Sequence, residues 1–251
     1  MAIYDLNLKA TLRNSALAGL SLPDFERLRP CLQRVILKQR SVLQERHKRI
    51  EHVHFIESGI VSLRAIANGT AVETAILGNR GVGEAGIACG VEQSLHQAVV
   101  LISGCALRVD IGDLRNAMAE CPGIRERLLR FVEPLIVHSS QTALCGMRHD
   151  LHQRIACWLS LICDAAQCKN VPITQDHLSF ILGARRPSVT EELARFEQLG
   201  LIAKTRGVLE ILDREMLRQA ACECLDIIGR SYGRAELISV RNTVPIPIEN
   251  T

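Results

Sequence analysis

The chain has 251 residues, a formal net charge of +3 and a hydrophobic content of 47%. This composition fits a globular protein of two domains, and the mild charge excludes a strongly basic coat that binds nucleic acid without regard to sequence. No run approaches the roughly 20 apolar residues that cross a bilayer, and residues 1–15 lack the pattern of a signal peptide. We therefore expect a cytoplasmic protein without membrane contact, whose ten cysteines are reduced thiols.

Residues 1–122 are predicted to form an N-terminal β-roll of the jelly-roll type, the β part of an α+β fold. Residues 1–15 carry no strong pattern and are expected to be loosely held, and the LPDFERLRP segment after Ser21 predicts a short helix closed by Pro30. Runs rich in Val, Ile and Leu then suggest strands at 31–38, 52–57, 59–67, 71–77, 98–102 and 105–109. The dipeptides Ser58-Gly59, Asn68-Gly69 and Ser103-Gly104 predict turns between them.

Residues 123–147 are predicted to form a long helix that pairs two copies of the chain. A short helix at 113–121 is broken by Pro122-Gly123, and a seam with alternating spacings of four and three residues, as in a coiled coil, follows from Ile124. Its later members, the predicted dimer interface, are Leu128, Phe131, Leu135, His138, Thr142 and Cys145. Pro134 should kink this helix, because an interior proline removes a hydrogen bond. The alternative is that the helix packs only on its own β-roll.

Residues 148–229 are predicted to form a helix-turn-helix with a β-wing. An apolar helix at 149–163 forms its floor, and the break at 146–150 is a hinge candidate. Thr174 is a plausible N-cap and a candidate DNA contact, Gly183 supplies the turn, and Pro187 fits the first turn of the second helix. That helix has an apolar stripe at Val189, Leu193, Phe196 and Leu199, and Gly200 can end it. Residues 201–204 and 208–212 pair as the wing, and a closing helix at 213–228 precedes a flexible tail at 230–251.

This layout is typical of proteins that place a recognition helix in the major groove of double-stranded DNA. Arg185, Arg186 and Ser188 would lie at the N-terminal end of that helix, where arginine can bond guanine or a phosphate. The polar face continues through Glu191, Glu192 and Arg195, and the wing residues Lys204 and Arg206 are placed to reach the DNA backbone. An ordinary helical hairpin with solvated charges is the alternative.

Residues 173–202 resemble the C-terminal winged helix of the Crp/Fnr regulators, the family of the cyclic-AMP receptor protein and the fumarate-nitrate regulator. The GARRPSVT and DREMLRQAACEC segments resemble a subgroup of that family. The resemblance extends over roughly residues 20–229 and implies a cyclic-nucleotide-binding-like β-roll, a homodimer and a palindromic operator. It also implies that Arg186, Pro187 and Glu191 face the bases, and it makes RNA polymerase a further candidate partner.

The same resemblance places a phosphate cassette at Gly83-Glu84-Ala85-Gly86-Ile87, with an arginine expected near Ser94, Leu95 or His96. No Arg or Lys occurs between Arg80 and Arg108, so a cyclic phosphate would lack its bidentate cation. We therefore expect a signal other than cyclic AMP, an unknown small molecule or a redox signal. Gly83, Glu84, Ser94 and His96 are the candidates for the effector pocket.

Small buried apolar side chains are expected for Cys157, Cys163, Cys168, Cys222 and Cys224, and no metal or cofactor is expected. An iron–sulfur centre is disfavoured because Cys31 is the only cysteine before Cys89, and Cys222-x-Cys224 is looser than the C-x-x-C of zinc sites. His52 and His54 are expected to be exposed strand residues rather than ligands. No motif of an enzyme is present. A thiol-, haem- or metal-based sensor on the same frame, and a ligand-binding module without DNA binding, stay open as alternatives.

Overall fold

The computed structural model describes residues 8–237. The helices are α1 Leu8–Thr11, α2 Ser15–Ala18, α3 Leu22–Leu28, α4 Ile111–Glu120, α5 Pro122–Leu129, α6 Val132–Arg148, α7 Leu151–Ala166, α8 Gln175–Leu182, α9 Arg186–Gln198, α10 Arg214–Ala220 and α11 Cys224–Leu237. The strands are β1 Gln33–Leu37, β2 Val42–Gln44, β3 His52–Ala67, β4 Thr70–Leu77, β5 Val82–Gly83, β6 Gln97–Asp110, β7 Asn170–Val171, β8 Ile202–Thr205 and β9 Val208–Ile211. The predicted α+β class, with a β domain before a winged helix-turn-helix, is confirmed.

The N-terminal domain is built on an antiparallel sheet in the order β1-β6-β3-β4, with β2 added to β6 and β5 to β3. The long strands β3 and β6 pair from His52 opposite Asp110 to Arg64 opposite Gln97. Helices α2 to α5 cover this sheet, and Phe25, Phe55 and Leu114 lie fully buried in the shared core. None of the helices between residues 8 and 237 is long and apolar enough to span a membrane.

Two of the three predicted turns are bends inside long strands. Ser58-Gly59 lies within β3 and Ser103-Gly104 within β6, where the register shifts. Gly59 has φ +84°, and a Cβ at Gly104 would lie 2.0 Å from the backbone oxygen of Ser58, so both positions need glycine. The predictions of separate strands on either side were therefore wrong. Asn68-Gly69 does form the predicted turn, between β3 and β4.

The described part of the N-terminal segment is tied to the sheet. The Asn14 side chain is fully buried, and its Nδ2 donates to the backbone oxygens of Ile56, at 3.1 Å, and Gly81, at 2.8 Å. Its Oδ1 accepts from the first turn of α2. The prediction of a loosely held segment was wrong for these residues, because one amide side chain satisfies several backbone groups at once. Residues 1–7 of that prediction lie outside the described residues.

The predicted long helix is two helices, α5 and α6, separated at Arg130 and Phe131. Pro134 lies in the first turn of α6, where its missing N–H has no helical partner to lose. It therefore marks the start of a helix rather than a kink within one. Helix α6 then ends at Arg148, and α7 begins at Leu151 with Asp150 as its N-cap. The break predicted at 146–150 is present.

The C-terminal domain packs α7, α8 and α9 around one core, which contains Trp158, Leu178 and Phe196. Ile60, Ile76 and Leu101 of the N-terminal sheet belong to the same core, so the two domains share an apolar interface. The wing strands β8 and β9 pair as predicted, and the short strand β7 adds to β9. That third strand was not predicted, since two residues carry no readable alternation.

The closing segment differs from the prediction in two ways. The helix predicted at 213–228 is two helices, α10 and α11, and α11 continues to Leu237. Tyr232 and Ala235 are buried, so residues 230–237 were wrongly assigned to a flexible tail. The buried Arg127 of α5 donates to the backbone oxygens of Ala235, at 3.0 Å, and Ser15, at 2.7 Å. Residues 238–251 lie outside the described residues.

Candidate DNA-binding surface and sensor sites

Helices α8 and α9 form the predicted helix-turn-helix. Thr174 caps α8, with its Oγ1 accepting from the backbone nitrogen of His177 at 3.2 Å. Gly183 ends α8 at φ +57°, a conformation that favours glycine. Helix α9 begins at Arg186 with Pro187 in its first turn and buries Val189, Leu193 and Phe196 against the domain core. One face of α9 therefore holds the helix in place and the opposite face is free for contacts.

The free face carries most of the predicted contact residues. Arg185, Arg186, Pro187, Glu191 and Arg195 are exposed, and Ser188 is half-buried. Arg186 forms an exposed ion pair with Asp176 of α8, with Nε and Oδ1 2.8 Å apart. An ion pair this exposed contributes at most about 1 kcal/mol, so the guanidinium can exchange it for a base or phosphate.

Two residues on α9 were misplaced by the sequence pattern. Glu192 was predicted on the free face but is half-buried, with its Oε2 2.9 Å from Nδ1 of His152 on α7. Leu199 was predicted in the apolar stripe but is 53% exposed, because the helix ends at Gln198 before the stripe can continue. Thr190, which the prediction omitted, is exposed on the free face, and its Oγ1 donates to Gln175 Oε1 at 2.9 Å.

Of the two cationic side chains predicted on the wing, Lys204 and Arg206, only Arg206 is exposed without a partner on α9. Arg206 lies exposed in the turn between β8 and β9. Lys204 is instead drawn back onto α9, where its Nζ lies 2.8 Å from Oε2 of Glu197. The Lys204 backbone nitrogen also donates to Glu197, at 3.1 Å. Lys204, which was predicted to reach the DNA backbone, therefore connects the wing to α9 instead.

The predicted effector residues come together around a short 3-10 helix, Ala85–Cys89. Gly83 is buried at the end of β5, and Glu84 takes a left-handed conformation at φ +65° before the helix. The Glu84 carboxylate shares a hydrogen bond with the buried Ser94, while burial raises the pKa of Glu84. His96 is exposed, and its backbone nitrogen donates to Ser94 Oγ at 3.3 Å. A cation reaches this segment from α5, where Arg125 Nε donates to the Ala88 oxygen at 2.9 Å.

The predicted dimer seam faces the interior of the chain. Leu128 and Phe131 are buried in the core of the N-terminal domain, His138 lies against Tyr232 of α11, and Cys145 lies against Cys222. Only Leu135 and Thr142 keep partial exposure. Side chains covered by their own chain cannot present a dimer surface, so the assignment is wrong for the four buried members of the seam. The exposed side of α6 carries Ile136, Ser140, Ala143 and Met147, which keep the spacing of four, three and four.

The histidines on β3 also differ from the prediction. His54 is buried rather than exposed, and burial together with the neighbouring His52 and Arg108 lowers its pKa to about 4. The ring centroids of His52 and His54 lie 6.4 Å apart. At neutral pH His54 is therefore an uncharged part of the β3 interior.

The cysteines near the C-terminus form a cluster with the end of α6. Cys157, Cys222 and Cys224 are buried, as predicted for small apolar side chains, together with Cys145 and Leu225. His149 joins them, however, and its Nδ1 lies 3.7 Å from Cys224 Sγ. Thiol hydrogen bonds from Cys145 and Cys157 hold the pKa of Cys222 below its usual range. The sequence did not predict this cluster, because α6 and α11 are separated in the chain by the whole helix-turn-helix.

Comparisons with known proteins agree with this architecture. Residues 153–220 match the family model described as the Crp-like helix-turn-helix domain. A protein from Eubacterium rectale described as a Crp/Fnr-family transcriptional regulator aligns with TM-score 0.63 and 15% identity, over 81% of this chain and 95% of its own. FixK2 from Bradyrhizobium japonicum aligns with TM-score 0.61 and 13% identity, over 76% and 98%.

A third solved structure, the c-di-GMP-responsive global regulator CLP of Xanthomonas campestris, aligns with TM-score 0.61 and 14% identity, over 77% of this chain and 100% of its own. A search of curated protein sequences found no match. Residues 153–220 therefore form a Crp-like helix-turn-helix domain, and the chain has the fold of the Crp/Fnr transcriptional regulators.

Proposed function

We propose that the chain is a sequence-specific DNA-binding transcription regulator that acts as a homodimer. The observation that carries this proposal is the free face of α9, which presents Arg185, Arg186 and Arg195 above a buried face held by Val189, Leu193 and Phe196. Rigid presentation of arginines at the N-terminal end of a helix, here Arg185 and Arg186, is what reading of base edges in the major groove requires. The nearly neutral chain makes this local arrangement, rather than bulk charge, the source of affinity.

The homodimer is proposed to form through the outer side of α6. Ile136 is 61% exposed and Met147 is 82% exposed, with Ser140 and Ala143 between them. Large apolar side chains at coiled-coil spacing on an exposed helix suit pairing with a second copy of the same helix. Two recognition helices related by a two-fold axis would read two half-sites about one DNA turn, roughly 34 Å, apart.

The regulating signal is proposed to act on the N-terminal domain and to differ from cyclic AMP. Glu84 and Ser94 supply hydrogen-bonding groups, but the segment between Arg80 and Arg108 contributes no cation to a phosphate. Arg125 reaches the segment from α5, but its Nε already donates to the Ala88 oxygen. Ile60, Ile76 and Leu101 of the N-terminal sheet are part of the C-terminal core, which includes residues of α7. A conformational change in the sheet would therefore be transmitted to α7 through these contacts.

Selection of preferred sites from random duplex DNA by the purified chain tests the proposal. The expected result is enrichment of the same palindrome both in the absence and in the presence of cyclic AMP. Enrichment only with cyclic AMP would show that the missing arginine was misread. A chain that retains no duplex above background, while circular dichroism shows it folded, would favour a module that binds a ligand or a protein.

A further inference from the structure

Four side chains that commonly bind metals meet where the end of α6 touches the start of α11. Cys145 and His149 lie one helical turn apart at the end of α6, and Cys222 and Cys224 lie at the start of the closing helix. Their ligand atoms, three Sγ and one imidazole nitrogen, all lie within 4.8 Å of one another. In the sequence, Cys222 and Cys224 form an isolated C-x-C pair. The fold adds Cys145 and His149, which lie some 75 positions earlier in the chain.

The separations match those around a single tetrahedral ion. Cys145 Sγ lies 3.5 Å from Cys222 Sγ, and Cys224 Sγ lies 3.7 Å from His149 Nδ1. Ligands bound to zinc at about 2.3 Å occupy the corners of a tetrahedron with edges of about 3.8 Å. The four residues therefore need only small side-chain shifts to close on one ion. Ligands of an iron–sulfur cluster surround several metal atoms and would stand farther apart.

We propose that Cys145, His149, Cys222 and Cys224 bind one zinc ion as a structural site. Three thiolates and an imidazole are donors that select zinc over calcium or magnesium, and a complete set of four protein ligands leaves no open position for catalysis. All three cysteines are buried, as in closed structural sites.

The surroundings suit an ion with this set of ligands. A zinc ion with three thiolates and a neutral imidazole has a net charge of −1, and the cationic Arg154 of α7 lies close enough to Cys145 to interact with it electrostatically. His149 is the C-cap residue of α6, and its backbone nitrogen donates to the Cys145 oxygen at 3.2 Å, which fixes the two ligands relative to each other. Cys157 lies in the same buried cluster but outside the set of four.

The position of this site gives it a structural consequence. It joins the end of α6 and His149, the first residue of the break that follows, to the start of the closing helix α11. Bound zinc would fix the angle between the proposed dimer helix and the DNA-binding domain, a consequence that rests on the proposed function. Metal binding by the four residues does not depend on it.

Titration of the full, reduced and metal-free chain with cobalt(II) tests the site, because cobalt replaces zinc and reports thiolate ligation and tetrahedral geometry by its absorption. We expect one cobalt per chain, with thiolate charge-transfer and tetrahedral visible bands that zinc abolishes. Cys222→Ala and Cys224→Ala should weaken binding by on the order of 100-fold or more. His149→Cys should keep the tetrahedral bands with added charge-transfer intensity, and Cys163→Ala, a buried thiol of α7 outside the cluster, should bind cobalt like wild type.

Absence of these bands from the reduced wild-type chain would overturn the proposal, as would bands that survive in both Cys222→Ala and Cys224→Ala. A Cys145–Cys222 disulfide in the freshly purified chain, without bound metal, would also overturn it. Circular dichroism of each variant separates lost ligation from lost folding. No DNA enters the assay, so a negative result here leaves the proposal of DNA binding intact.

Discussion

The indole Nε1 of Trp158 on α7 donates a 2.6 Å hydrogen bond to Oε1 of Glu73 on β4, which joins the two domains through one buried carboxyl group. Ser62 of β3 donates to the other oxygen. Burial nevertheless outweighs these two donors and raises the pKa of Glu73 to about 7. The interface between the N-terminal and C-terminal domains therefore contains a carboxyl group that titrates near neutral pH.

The first prediction concerns the pH dependence of stability at Glu73. A carboxyl group whose pKa is higher in the folded state binds its proton more tightly there, so its contribution is complete below about pH 4.5 and is lost as pH rises to about 7. Glu73→Gln removes the titration, and its Oε1 can still accept from Trp158 Nε1, while its Nε2 would donate to Ser62 Oγ where the carboxylate accepted. The variant should gain up to about 3 kcal/mol of unfolding free energy, relative to wild type, between pH 5 and pH 8.

Urea unfolding of both chains across this pH range measures the difference. Glu51→Gln is the matched control, since it makes the same change of residue type at an exposed glutamate. A difference between Glu73→Gln and wild type that stays constant from pH 5 to pH 8 would show that Glu73 is already ionised in the folded chain at pH 5.

The second prediction separates base reading from backbone contact. Arg186→Ala should cost about 1–3 kcal/mol of binding free energy on the preferred duplex and relax base choice at one position of each half-site. Arg206→Ala, in the exposed turn of the wing, should weaken preferred and scrambled duplexes alike and reduce the salt dependence. Fluorescence anisotropy titrations on both duplexes distinguish the two effects. Equal losses of binding free energy on both duplexes for Arg186→Ala would show that Arg186 does not read a base.

A third prediction places the dimer interface on the outer side of α6. Ile136→Glu and Met147→Glu should each raise the dimer dissociation constant by on the order of 100-fold, because a carboxylate would be buried against an apolar partner. Ile36→Glu is the control, since Ile36 is 78% exposed on β1 and is not part of the proposed interface on α6. Sedimentation equilibrium measures all three. A dimer that both α6 variants leave intact would place the interface elsewhere.

Arg127 supports the fourth prediction, which concerns stability alone. Its guanidinium is buried and donates to the backbone oxygens of Ser15, Ala16 and Ala235, which binds α2 and α11 to α5. Arg127→Met removes all three of these hydrogen bonds between buried groups and should lower the free energy of unfolding by about 2–4 kcal/mol. Arg125→Met removes a single hydrogen bond to Ala88 and should cost less than about 1.5 kcal/mol. Similar losses in the two variants, measured by urea unfolding, would contradict the role given to Arg127.

The helix-turn-helix could be predicted from the sequence because its signals are local. Thr174, Gly183 and Gly200 each act on the backbone beside them, and the stripe from Val189 to Phe196 lies within one helix. The same reasoning mistook Ser58-Gly59 for a turn, because a glycine bend inside a strand and a glycine turn between strands have the same composition.

Features that depend on distant parts of the chain could not be predicted. The spacing from Ile124 to Cys145 is that of a helix with one apolar side, but periodicity does not say whether that side meets a second copy or its own chain. Here α11 and the sheet cover it. The pairing of Glu73 with Trp158, and of Cys145 with Cys222, likewise follows from packing between elements far apart in sequence.

The ratio of the dissociation constants for scrambled and selected duplexes, measured with the full chain at physiological salt, tests the central claim most directly. A sequence-specific regulator of this fold should bind the selected duplex about 1,000-fold or more tightly. A ratio near one, with a folded and dimeric chain, would contradict sequence-specific recognition by α9.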